Sequence, residues 1–143
     1  MTTRPARFQV ALKALVTQGG KLLVLREAST PGLWELPGGR IDADEEGEPH
    51  RHVLRRELRE ELGENFRCEI GAPCLTWMRT PRRPDSATVF LVGFACARAE
   101  GEIQLSDEHD EYRWIDRAAV RVLTWAPGYA DALAEWWARA TPS

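Results

Sequence analysis

The sequence predicts an α+β fold, an α-β-α sandwich in which helices cover both faces of a mixed sheet. Short apolar segments rich in Val and Leu are separated by turn residues, which is the pattern of strands. Two other segments, at residues 49–63 and 127–139, carry apolar residues at helical spacing. The 143 residues are enough for one domain with a sizeable core, so we expect a single domain over residues 1–143.

The first half of the chain predicts a hairpin followed by a helix. Phe8–Thr17 alternates loosely and Lys21–Arg26 returns as a second strand after a Gly-Gly turn. Leu33–Leu36 is expected to be a short extended segment. Pro49 suits the first turn of the helix, where its missing N–H costs nothing, and Gly63 suits the position after its end.

The second half of the chain predicts further strands and a closing helix. Arg67–Ile70 and Cys74–Arg79 are typical of two short strands, and Tyr112–Ile115 of another. Ala87–Ala97 is almost entirely apolar and rich in β-branched residues, which favours a central strand. Pro127 and Gly128 precede the second helix, which runs through residue 139. We expect its buried side to consist of Tyr129, Leu133, Trp136 and Trp137.

Composition limits the classes of partner and compartment. Hydrophobic residues at 43% and charged residues at 29% describe a globular domain. A net charge of −3 gives no broad electrostatic footprint for duplex nucleic acid. The three cysteines are odd in number and lack metal-ligand spacing, which fits a reducing compartment. No apolar run approaches the roughly 18 residues of a membrane span, so we expect a cytoplasmic protein without a membrane partner.

Three carboxylates crowd the end of the first predicted helix. Glu60 and Glu61 stand three and four residues after Glu57, so the three acids share a helix face of roughly 100° of arc. Like charges at this spacing repel, and a bound cation would reverse the sign of that interaction. Hard divalent cations such as Mg²⁺ take oxygen ligands of this kind. The alternative is a solvated helix face laced with charge pairs.

The segment Arg56-Glu57-Leu58-Arg59-Glu60-Glu61-Leu62-Gly63 resembles the core of the Nudix box, G-x5-E-x7-R-E-U-x-E-E-x-G-U with U apolar. Glu48 stands eight residues before Arg56, where the box places its first glutamate. The box glycine would then fall at Asp42, whereas the glycines stand at positions 38 and 39. The loop after the glycine pair is therefore three residues longer than the box, and Glu64 occupies its last apolar position.

The longer loop carries several acids and is expected to bulge outward into solvent. Glu45 restores the spacing from Gly39 but would lie too far from Arg56 along the chain. Loops tolerate insertions at a cost of roughly 0.6 kcal/mol per doubling of length. We therefore expect deletion of Ala43–Glu45 to preserve metal-dependent activity within about tenfold.

The resemblance implies a Nudix fold and a Mg²⁺ or Mn²⁺ cofactor. It implies that Glu57 and Glu61 are the main metal ligands, with Glu60 sharing the ions. It further implies that Arg56 holds Glu57 through an ion pair and that the carbonyl of Gly38 completes the shell. Family members often add one more acid from a later loop. The candidates here are Glu108, with Asp110 and Glu111 as rivals, or none of them if the loop is merely solvated.

Candidate substrate contacts lie outside the acidic helix. Arg79, Arg82 and Arg83 suit phosphate groups, although a solvated loop is an equal alternative. Trp34 and Trp77 could stack on a base, and the competing interpretation places them in the core. The three histidines, His50, His52 and His109, are expected on the surface.

The implied activity is hydrolysis of the pyrophosphate bond of a nucleoside diphosphate linked to a further group X, such as ADP-ribose or a nucleotide sugar. Pro81 falls near the position of a proline associated with ADP-ribose cleavage in the family. The first alternative is a nucleoside triphosphate pyrophosphohydrolase, including a sanitiser of oxidised nucleotides. Another is a non-catalytic nucleotide-sensing module, which should have lost one of the three glutamates. The protein is expected to be a monomer or a homodimer.

Overall fold

The computed structural model describes residues 3–81 and 86–140. These residues form seven strands, two α-helices and two short 3-10 helices. The strands are β1 Gln9–Gln18, β2 Lys21–Glu27, β3 Trp34–Glu35, β4 Gly38–Arg40, β5 Arg67–Arg79, β6 Val89–Glu100 and β7 His109–Ile115. The α-helices are α1 His50–Leu62 and α2 Tyr129–Ala140, and the 3-10 helices are Ala43–Glu45 and Arg117–Arg121.

Strand β1 is the centre of a mixed sheet. It runs parallel to β6, from the pair Gln9–Val89 to the pair Val16–Cys96. On its other side it pairs antiparallel with β4 and, near its end, with β2. The strand order is β3-β2-β1-β6-β5, with β7 paired along β2. The short strand β4 thereby lies beside the most buried strand of the protein.

Both faces of the sheet are covered, which explains why β1 and β2 are apolar on both sides. Along β1, Ala11 and Leu15 point into a core beneath α2. Leu12 and Val16 point to the other face, where the apolar side of α1 packs. The core contributions of α1 are Val53, Leu54, Leu58 and Leu62, and those of α2 include Tyr129, Leu133 and Trp137.

The predicted α-β-α sandwich is confirmed, as are the hairpin, the central strand β6 and both helices. Pro49 is the residue before α1, and the N–H of Gly63 donates to the carbonyl of Arg59 at its end. Trp136 is half-buried rather than fully buried. Among the described residues, no helix has both the length and the apolar content needed to cross a bilayer.

The prediction of two short strands before β6 is wrong, because β5 is continuous over both segments. Pro73 lies in its middle, where the pairing with β6 shifts register on either side. Proline removes a ladder hydrogen bond but is tolerated at bulges and on edge strands. Since β5 is the last strand in the order, the sheet accommodates Pro73 without ending the strand there.

Burial on α1 predicts a large difference between two aliphatic truncations. Leu54 is fully buried, whereas Val122 is 80% exposed. Leu54→Ala should lower the free energy of unfolding by about 2–5 kcal/mol, because a cavity is left in the core. Val122→Ala should change it by less than about 0.5 kcal/mol. Urea denaturation of both variants checks this, and equal losses would contradict the packing of α1.

Candidate active site

A cleft of about 400 Å³ opens where β4, α1 and the loop before β7 meet. Its lining contains an unusual concentration of charge of both signs. The acids are Glu35, Asp42, Glu57, Glu61 and Glu108, and the bases are Lys13, Arg40 and Arg79. Such a surface fits a polar, charged ligand, and its charged side chains come from six parts of the chain.

The glycine pair lets the backbone of β4 lie directly against the acids of α1. Gly38 has φ of +136°, a conformation that other residues rarely adopt, and its N–H donates to Oε1 of Glu61 at 2.8 Å. A Cβ at Gly39 would collide with the carboxylate of Glu57. Gly38 thus allows β4 to lie against the backbone of β1, and Gly39 leaves the space that the Glu57 carboxylate occupies.

Glu57 and Glu61 both face the cleft, but their surroundings differ. Glu61 is only 5% exposed, and burial raises its pKa to about 7 although the charge of Lys13 opposes the shift. Burial also raises the pKa of Glu57, which is less enclosed, against the opposing charge of Arg56. Both carboxylates thus lie where a cation would offset the cost of burying negative charge.

Glu60 has a different position from its two neighbours. Its side chain is 58% exposed and does not line the cleft. Its Oε1 accepts a hydrogen bond from Nη1 of Arg56 at 3.0 Å. The structure therefore brings together Glu57 and Glu61 from the predicted acidic set and leaves Glu60 on the outer side of α1.

Arg56 is held by a carboxylate that spacing along the sequence did not identify. Glu45 accepts from Nε and Nη2 of Arg56, both at 2.7 Å, and these hydrogen bonds lower the pKa of Glu45. Arg56 also donates to Glu57 at 3.1 Å, as the ion-pair prediction required. Glu48 is exposed, and the contact with Arg56 instead favours Glu45 as the counterpart of the first glutamate of the motif.

Glu45 reaches Arg56 because a 3-10 helix follows β4. It folds Glu45 back toward Asp42, whose N–H donates to Glu45 Oε1 at 3.1 Å, so Glu45 is only 7% exposed. Glu45 keeps the five-residue spacing from Gly39, and the three extra residues fall between it and α1. Deletion of Ala43–Glu45 would remove this partner of Arg56, which is a physical reason to expect a larger loss of activity; the effect of the deletion stays a prediction.

A buried network of charges supports the floor of the cleft. Nζ of Lys13 donates to Oε1 of Glu35 at 3.2 Å and to the carbonyls of Leu36 and Gly38 at 3.2 and 3.3 Å. Burial alone would raise the pKa of Glu35, but Lys13 and His109 hold it at about 2. The same pairing raises the pKa of Lys13 above its usual value despite burial. One signal for this network is visible in the sequence, a lysine inside an apolar strand.

His109 belongs to this network, so its expected place on the surface is wrong. The residue is 4% exposed, and its Nε2 lies 3.0 Å from Oε2 of Glu35. Burial lowers the pKa of His109, but its carboxylate neighbours outweigh this effect and the net shift is upward. The other two histidines, His50 and His52, are exposed on α1 as predicted.

Among the three rival loop acids, Glu108 alone lines the cleft. Asp110 accepts from Nε of Arg26 at 2.8 Å, and Glu111 accepts from Nε of Arg113 at 2.6 Å. Carboxylate oxygens are ligands that Mg²⁺ and Mn²⁺ prefer. The donor set of the cleft therefore fits a divalent cation.

The predicted substrate residues separate into three groups. Arg79 lines the cleft, as does Arg40, which sequence reasoning missed although it directly follows the glycine pair. Trp34 and Trp77 lie in the core beneath α2, 5% and 8% exposed. They offer little ring surface to a base, so stacking stays a prediction that requires rearrangement. Arg82 and Arg83 lie outside the described residues.

Comparisons with a family model and with known proteins point to the same family. The model of the family described as NUDIX domain matches residues 7–136. The nucleoside triphosphatase NudI of Klebsiella pneumoniae is 31% identical over 119 residues, which cover 76% of this chain and 82% of that protein. NudI of Escherichia coli O139:H28 is also 31% identical, over 71% of this chain and 77% of that protein.

A solved structure shares the same fold. The solution structure of the Escherichia coli ORF135 protein has a TM-score of 0.74 at 24% identity and covers 96% of both chains. At this level of identity, the likeness shows the fold alone.

The contact of Glu45 with Arg56 predicts unequal effects from two nearby glutamates. Glu45→Gln should weaken Mn²⁺ binding by about 10–100-fold. Glu45 holds Arg56, and Arg56 orients Glu57, a predicted metal ligand; loss of such an orienting residue usually has an effect of this size. Glu48→Gln should leave it within about twofold, because Glu48 is exposed. Titration of the protein with Mn²⁺, followed by electron paramagnetic resonance, measures both affinities. A larger loss of Mn²⁺ affinity for Glu48→Gln than for Glu45→Gln would restore Glu48 as the first glutamate of the motif.

Proposed function

The chain belongs to the Nudix hydrolase family, whose members act on pyrophosphate bonds, and from this premise we propose that its substrate is a nucleoside triphosphate. The observation that carries the proposal is the 31% identity to nucleoside triphosphatases named NudI over most of both chains. The proposed cofactor is Mg²⁺ or Mn²⁺, and the proposed location is the cytoplasm. The three cysteines are free, in keeping with a reducing compartment.

The second candidate is the nucleoside diphosphate linked to X that the sequence suggested. A further depression of about 260 Å³ adjoins the cleft and shares Arg40 and Arg79 with it. Pro81 and Thr80 lie on its wall. This space could receive a second moiety beyond the phosphates, so product analysis has to distinguish the two substrates. Whether the protein is a monomer or a homodimer stays a prediction.

In the proposed mechanism Glu57, Glu61 and Glu108 hold the cation, and Gly38 lines the same cleft. When bound, a divalent cation neutralises phosphate charge and lowers the pKa of water. One of the cleft carboxylates accepts the proton of the attacking water, a role typically worth about 10²–10⁴-fold. Glu60 is not among the proposed ligands, since its side chain lies on the outer face of α1 and pairs with Arg56.

The basic residues of the cleft have separate tasks. Arg79 and Arg40 are placed to bind phosphate oxygens, for which the planar guanidinium is well suited. Lys13 lines the same cleft, but its three N–H donors are taken by Glu35, Leu36 and Gly38. Lys13 therefore acts by fixing the backbone of the glycine turn. Arg56 similarly orients Glu57 from the side.

Glu61→Gln should lower kcat by about 10²-fold or more while the fold is retained, because a ligand charge is lost without a change of shape. The matched control is Glu64→Gln, an exposed acid just beyond α1 that does not line the cleft. Steady-state kinetics and circular dichroism of both variants provide the measurement. An unchanged kcat for Glu61→Gln would refute the role assigned to this face of α1.

A substrate panel tests the proposed specificity. With Mg²⁺ present, nucleoside triphosphates should give nucleoside monophosphate and pyrophosphate, with kcat/KM at least about tenfold above that for ADP-ribose and UDP-sugars, a difference of about 1.4 kcal/mol. Excess EDTA should abolish turnover. Chromatographic identification of products decides between the candidates, since cleavage of ADP-ribose gives AMP and ribose phosphate. Faster hydrolysis of the linked diphosphates would favour the second candidate.

A further inference from the structure

We propose that the imidazole of His109 joins Glu61 and Glu108 as the third ligand of a divalent cation. A ring nitrogen of His109 and one carboxylate oxygen from each acid lie within 4.8 Å of one another. Ligands about 2.0–2.2 Å from a cation are at most about 4.4 Å apart, so small side-chain movements complete the site. The inference rests on the proposed function, since this cation would lie in the cleft to which hydrolysis is assigned.

The hydrogen bond to Glu35 leaves one nitrogen of His109 available to the cation. Nε2 lies 3.0 Å from Oε2 of Glu35, whose other oxygen accepts from Lys13. An ionised carboxylate can only accept, so Nε2 carries a proton, and in the neutral imidazole the lone pair is then on Nδ1. Metal-binding histidines usually donate their second ring N–H to a carboxylate in this way. Glu35 would therefore fix both the tautomer and the orientation of the ring.

The other nitrogen provides an independent observation. Nδ1 of His109 is buried and has no hydrogen-bond partner among the described residues. The side chain is 2% exposed. Buried polar atoms are almost always paired, because an unpaired one loses its bonds to water without replacement. A cation would supply the missing partner.

The donor set defines the class of cation. Imidazole nitrogen suits late transition metals such as Zn²⁺, and Mn²⁺ accepts it beside oxygen ligands, whereas Mg²⁺ prefers oxygen alone. The proposed set of Glu57, Glu61 and Glu108 offers only oxygen, so the cleft contains an all-oxygen set and a mixed set that share Glu61 and Glu108. Activity with Mg²⁺ would use the first set, and a transition metal would gain an additional ligand from the second.

Mn²⁺ alone, added to the metal-free protein up to two equivalents per chain, is the probe. Electron spin-echo spectroscopy should detect nitrogen coupled to the manganese in the wild-type protein. The chain has three histidines, and His52 on α1 is exposed, so His52→Gln is the matched control and should keep the signal. His109→Gln should lose it and weaken binding of one Mn²⁺ by about tenfold or more.

Absence of nitrogen coupling in the wild-type protein with bound Mn²⁺ would overturn the inference, whether or not His109→Gln folds. Retention of the coupling in a folded His109→Gln variant would do the same. Glu108→Gln, at an exposed position, should also lose the coupling. Nucleotide hydrolysis without nitrogen coupling would remove this inference and leave the proposed function intact. Nitrogen coupling without hydrolysis of any nucleotide would support this inference and remove the proposed function.

Discussion

The site depends first on the contact between the glycine turn and the acidic face of α1. Gly38 donates its N–H to Glu61, and Gly39 leaves room for the carboxylate of Glu57. Any side chain at position 39 would displace the carboxylate of Glu57 from its place against β4. Because β4 pairs with β1, the acids are tied to the buried centre of the sheet.

Buried charge is the cost of this arrangement, and the network around Lys13 limits it. A buried ion without a partner costs several kcal/mol, so each must be matched. Lys13, Glu35 and His109 form a continuous chain of contacts under the cleft. On the outer side, Arg56 joins Glu45 to Glu57. The residues around Glu61 are therefore held by the Lys13 network on one side and by Arg56 on the other. The carboxylate of Glu61 itself accepts a hydrogen bond from the N–H of Gly38.

The sequence was sufficient for the elements with local signals and insufficient for contacts between distant segments. Periodic leucines, a proline and a glycine define α1, so the cleft-facing positions of Glu57 and Glu61 could be foreseen. Glu45 could not be assigned, because a 3-10 helix shortens its path to Arg56 in a way that spacing does not show. His109 and Glu35 are far apart in the chain, and their pairing follows only from the sheet.

The parallel pairing of β1 with β6 has a consequence for the order of folding. The hairpin and α1 are built from local contacts, but Gln9 meets Val89 only after a long intervening segment has been closed into a loop. Contacts so distant in sequence slow folding, since chain entropy is lost before they form. The walls of the cleft come from both sides of this pairing, from Lys13 on β1 and Leu91 on β6. A nascent chain released before β6 is complete would thus carry the residues of the acidic helix and lack the enclosed cleft.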